Sequence, residues 1–97
     1  MIQRFCFVKL ADHEVETRGE LAELVRAQLA SAGADAVVGL PADESALRWD
    51  LSIVISAASI EAWHALAMLP VMTGVFDELA ARSAVIKAWT FESPTLD

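Results

Sequence analysis

Between Ile2 and Leu10 the chain carries two interleaved sets of side chains. Ile2, Arg4, Cys6, Val8 and Leu10 point to one side, and Gln3, Phe5, Phe7 and Lys9 to the other. The stretch is rich in aromatic and β-branched residues and short for a helix, so it predicts a strand. With apolar groups on both faces, it requires cover on both. The period then changes. Val15, Arg18, Leu21, Ala22, Val25 and Leu29 form a stripe, with Glu14, Glu16, Glu20 and Glu23 mainly outside it or at its border, which predicts a helix over about 12–32. Asp12 is the expected N-cap, with Thr17 and Glu20 as an alternative capping pair, and Gly33 is the stop.

A second strand is expected over 35–40, followed by a polar, mobile connection over 41–49. The segment LSIVISA (51–57) reads as a strand with Leu51, Ile53 and Ile55 on one face and Ser52, Val54 and Ser56 on the other. Ser59 caps a second helical region that runs to about Ser83 and is interrupted at Pro70, where a backbone donor is missing. The last strand, 84–92, alternates Val85, Lys87, Trp89 and Phe91 against Ile86, Ala88 and Thr90.

The order β-α-β-β-α-β within 97 residues predicts a single α+β domain, 1–97, of the ferredoxin-like kind. Its four-stranded antiparallel sheet has both helices on one face. The face bearing Ile2, Cys6, Val8, Ile86 and Ala88 is expected to be the uncovered one, too large an apolar patch for a monomer. Two such sheets packed face to face, closing toward a barrel, bury it, so a homodimer is the expected assembly.

Composition points the same way. Hydrophobic residues make up 56% of the chain and mean hydropathy is +0.45, a large apolar load for a domain that hides only a modest fraction of its surface alone. Charged or polar residues interrupt every apolar run short of a membrane span. The segment MIQRFCFVKLAD lacks the features of a signal peptide, so a cytoplasmic protein is expected. A net charge of −7, with the basic residues scattered, disfavours nucleic acid. The single cysteine, Cys6, excludes an internal disulfide and a cysteine-rich metal centre, and reads as packing in mid-strand. Two histidines without matched ligand spacing make a poor zinc site, and no metal or cofactor is expected.

The segments IQRFCFVKLAD, RWDLSIVISAASIEAWHAL, LPVMTGVFDEL and VIKAWTFE together resemble the stress-responsive A/B barrel domain family of dimeric α+β barrel proteins. Cofactor-free monooxygenases and muconolactone isomerase-like proteins share most of the pattern. The resemblance covers nearly the whole chain and implies a dimeric barrel with a ligand cavity beside a broken second helix. In that family the break commonly reads His-Pro-x-His. Here Leu69 and Met72 stand at the histidine positions and Pro70 is kept. At other positions where polyketide cyclases of the family carry histidine or tyrosine, this chain has Arg4, Leu51 and Leu66, and it contains no tyrosine. General acid–base catalysis requires a group that exchanges a proton near neutral pH, which leucine and methionine lack. No catalytic residue is carried over.

The candidate ligand-binding set is Arg4, Trp63, His64, Leu66, Leu69, Met72 and Phe76. His64 is the strongest remaining acid–base candidate, against the reading of a surface helix histidine; His13, in acidic sequence, is weaker. Arg4 is either a clamp for a carboxylate or enolate, or one half of an ion pair across the dimer interface. Lys9 and Asp50 either pair between neighbouring strands or flank them. Trp49, Trp63 and Trp89, with Phe5, Phe7, Phe76, Met68 and Met72, either line an apolar pocket between sheet and helices or fill it. Two functions are consistent with this pattern. The preferred one is a non-catalytic barrel that binds a small hydrophobic ligand or serves association. The alternative is a cofactor-free enzyme acting on a small aromatic or polyketide-like substrate by desolvation and orientation.

Overall fold

A computed structural model describes residues 1–94. Strands β1 (Ile2–Leu10), β2 (Asp35–Gly39), β3 (Leu51–Ala57) and β4 (Ser83–Glu92) form one antiparallel sheet in the order β2-β3-β1-β4. Helix α1 (Arg18–Ser31) joins β1 to β2, and α2 (Ile60–Ala67) with α3 (Pro70–Arg82) join β3 to β4. This is the ferredoxin-like α+β fold.

The helices cover the face that carries Ile2, Cys6, Val8 and Leu10. These side chains are buried with Leu51, Ile53 and Ile55 of β3, under Leu21, Val25 and Leu29 of α1, Trp63 of α2, and Met72, Val75 and Leu79 of α3. The expected assignment of faces is therefore reversed. The uncovered face is aromatic: in the strand register Phe5 lies between Val54 and Trp89, Val54 pairs with Val37, and Gln3 pairs with Phe91. Phe5 and Phe91 meet edge to face at 5.7 Å between centroids, and Phe7 lies 5.8 Å from Trp49 and 6.1 Å from Trp89. Val37, Trp89 and Phe91 remain exposed.

The turns follow local chemistry. The first helical region is split into a 3-10 turn, Asp12–Thr17, and α1, with Ala11 rather than Asp12 at the N-cap of the turn. Thr17 stands at the N-cap of α1 but makes no side-chain cap, because its hydroxyl donates to the Glu14 carbonyl (2.8 Å) and accepts from Arg82 Nη2 (2.9 Å). Gly33, at φ +77°, ends α1 in a Schellman arrangement: its N–H donates to the Ala30 carbonyl and that of Ala34 to the Leu29 carbonyl. Ser59 caps α2 by accepting from the Ala62 N–H at 3.1 Å. Pro70 is the first residue of α3, where its missing N–H costs no helical bond, and Leu69 before it is extended.

Asp50 is the buried charged residue among those described. Its Oδ2 accepts from the Leu10 N–H at 2.8 Å and its Oδ1 lies 3.3 Å from Arg18 Nη1. Its partners are thus Arg18 and the β1 backbone rather than Lys9, which is exposed.

Candidate functional site

A cavity of about 360 Å³ lies between the β1–β4 side of the sheet and helices α2 and α3. Arg4 and Cys6 of β1 and Ile86 and Ala88 of β4 contribute the sheet wall; Trp63 and Ala67 of α2 and Met72, Thr73, Phe76 and Asp77 of α3 contribute the helix wall. The spacing explains the convergence. Trp63 and Ala67, Met72 and Phe76, and Thr73 and Asp77 are i, i+4 pairs that share a helix face, while Arg4 and Cys6, and Ile86 and Ala88, are i, i+2 pairs that share a strand face. Ala88 pairs with Cys6 across the strands, and the small side chains of Ala88 and Ala67 leave space that larger ones would occupy.

Arg4 is half-buried. Its Nη1 donates to Thr90 Oγ1 at 2.9 Å, and its Cζ lies 5.7 Å from the centroid of the Trp63 ring, within range of a cation–π contact. These contacts orient the guanidinium. Cys6 lies two residues along the strand. Burial pushes its thiol above the ordinary value of 9.0, and the positive charge of Arg4 opposes that shift. The thiol is therefore neutral at physiological pH and a poor nucleophile.

Of the expected ligand-binding residues, Arg4, Trp63, Met72 and Phe76 come together in this cavity. His64, Leu66 and Leu69 are outside its lining. His64 is exposed on α2, Leu66 is half-buried against the core, and Leu69 is a partly exposed N-cap. Trp49, Trp89, Phe5 and Phe7 belong to the other face of the sheet, and Met68 is solvent-exposed. Arg4, on the helix side, is not at the sheet face available for pairing, which removes the reading of an ion pair across two sheets.

Cys6, Ala67, Thr73, Asp77, Ile86 and Ala88 complete the lining without having been named as ligand-binding candidates. Ile86 and Ala88 were legible as sharing a sheet face with Cys6, but that face was expected to point away from the helices. The lining contains no histidine or tyrosine. Its chemistry is an apolar enclosure with one arginine and a rim bearing the exposed Thr73 and Asp77. Among the described residues, no group of three or more His, Cys, Asp or Glu side chains converges as a metal site, and no helix is long and apolar enough to cross a membrane.

Fold and cavity together define a ferredoxin-like α+β protein with a partly open pocket on the helix side of its sheet. No family model matches the sequence, and no curated protein matches it at a significant level. Solved structures do match. A dimeric protein of unknown function with a ferredoxin-like fold from Bacteroides fragilis is similar with a TM-score of 0.76 at 15% identity, over 95% of both chains. A protein from Arabidopsis thaliana is similar with a TM-score of 0.79 at 12% identity, over 100% of this chain and 99% of that one. An antibiotic biosynthesis monooxygenase is similar with a TM-score of 0.72 at 7% identity, over 98% and 100%. At these identities the likeness establishes the fold.

Proposed function

We propose that this chain is a homodimeric barrel of the stress-responsive A/B barrel type that binds a small hydrophobic molecule between its sheet and helices α2 and α3. The observation that carries the reading is the cavity itself. Its volume of about 360 Å³ lies in the range of small-molecule sites, and its aromatic and aliphatic lining with few polar groups is their usual construction. The homodimer is supported by the aromatic open face of the sheet and by the dimeric description of the similar Bacteroides fragilis protein. The absence of histidine and tyrosine from the lining favours binding over acid–base catalysis.

Native mass spectrometry of the purified protein, followed by denaturation, tests both parts. The expected result is a particle of twice 10.5 kDa that releases a small apolar compound. An empty particle that no naphthalene-sized probe saturates overturns the ligand reading, and a monomer at micromolar concentration overturns the dimer. The likeness to an antibiotic biosynthesis monooxygenase favours a second reading, a cofactor-free enzyme on the same scaffold. Chemical conversion of the released compound on re-addition to the protein in air would select it.

A further inference from the structure

We propose that the cavity selects small apolar monocarboxylic acids, the carboxylate being received by Arg4 and the hydrocarbon lying against Trp63, Met72 and Phe76. This inference rests on the ligand-binding reading above and names its ligand class. Arg18, Arg26 and Arg82 each have a carboxylate partner, at 3.3, 2.8 and 2.9 Å. Arg48 is exposed on the connection before β3. Arg4 differs from both kinds, being half-buried in a largely apolar wall with no carboxylate oxygen within 4.0 Å among the described residues.

Its two defined contacts hold the guanidinium without neutralising it. The Thr90 hydroxyl occupies one of five N–H donors, and the Trp63 ring offers a quadrupole rather than a counter-charge. The other donors have no hydrogen-bond partner among the described residues, so in solution water hydrates them. A neutral apolar ligand would displace that water and leave a cation unpaired, which is penalised. A carboxylate replaces the water with charge-assisted, bidentate hydrogen bonds. The same cation thus attracts acids and rejects their neutral analogues. Asp77 at the rim and the net charge of −7 oppose a second negative charge, so the arrangement fits a monoanion rather than a phosphate ester.

The test is calorimetric titration of the purified protein with 2-naphthoate and with its neutral near-isostere 2-naphthamide. The acid is expected to bind about 10- to 100-fold more tightly than the amide. Arg4→Gln, which keeps a donor for Thr90 but carries no charge to leave unpaired, should abolish the preference, weakening the acid and tightening the amide until the two bind alike. Arg4→Lys should recover part of the difference. Unaltered thermal unfolding of both variants establishes that they fold. Equal binding of acid and amide by the native protein, or an acid preference that survives in Arg4→Gln, overturns the inference while the ligand reading stands. Binding of neither probe overturns both.

Discussion

Replacing Trp89 by lysine separates folding from assembly. Trp89 is 47% exposed on the open face of the sheet, so about half of a side chain of roughly 200–250 Å² is available to a partner. At about 25 cal/mol per Å², burial of some 110 Å² contributes about 2.5–3 kcal/mol. In a two-fold interface the residue occurs twice, giving about 5 kcal/mol. Lysine removes that area and adds a charge that must be desolvated. The dimer dissociation constant is therefore expected to rise by about 10³- to 10⁴-fold. The protomer's own core, on the opposite side of the sheet, is untouched. Sedimentation equilibrium over a concentration series should show native protein near twice 10.5 kDa and Trp89→Lys near 10.5 kDa, with native circular dichroism in both. A variant that remains dimeric with undiminished affinity would refute the assignment of this face to the interface.

Val8→Asp should behave differently: Val8 is fully buried beneath the helices, so an unpaired carboxylate there should yield an unfolded chain by circular dichroism rather than a folded monomer. Asp50→Ala orphans the buried Leu10 N–H and frees Arg18, and should lower the unfolding free energy by about 2–3 kcal/mol in urea titrations, with Asp50→Asn recovering part of the loss. Arg82 donates to Glu14 and holds its carboxyl below the ordinary value of 4.5. The stabilisation from that pair is full above pH 4.5 and is lost as pH falls below it through the depressed value, so Glu14→Gln should flatten this part of the stability curve. An unchanged acid limb would remove the pair from the account.

The strand and helix pattern was legible because each segment keeps its own period and is punctuated by residues with one mechanical meaning. Gly33 supplies the positive φ that ends α1, Ser59 supplies the α2 cap, and Pro70 begins a helix where its missing donor is harmless. The direction of the sheet was not legible from alternation alone, since β1 is apolar on both faces and period-two patterning separates two sets without saying which one meets the helices. A finer signal was present. One set joins Ile2, Val8 and Leu10 to Leu51, Ile53 and Ile55, aliphatic apart from Cys6 and from Arg4 with its neighbour Thr90 near the start of the strand. The other mixes Phe5, Phe7, Trp89 and Phe91 with Gln3, Ser52, Ser56 and Lys87. Aliphatic packing suits a core, whereas aromatic groups interleaved with polar ones suit an interface. The first 3-10 turn was hidden for another reason: the Thr17 hydroxyl is claimed by Glu14 and by Arg82, which lies sixty-five positions away.

Turning the sheet over changes the meaning of one residue more than any other. On a face paired with another sheet, Arg4 would require a carboxylate from the second protomer. On the helix side it projects from a central strand into a space left open by Ala67 and Ala88. Thr90 on the neighbouring strand and Trp63 on α2 fix its direction. A strand-borne side chain held at two points is a more rigid anchor than one carried on a loop. The elements that hold Arg4 are also those that enclose the apolar volume beside it. With no histidine or tyrosine in its lining, the wall would act through the preference proposed above: apolar surface for binding energy and one oriented cation for selection.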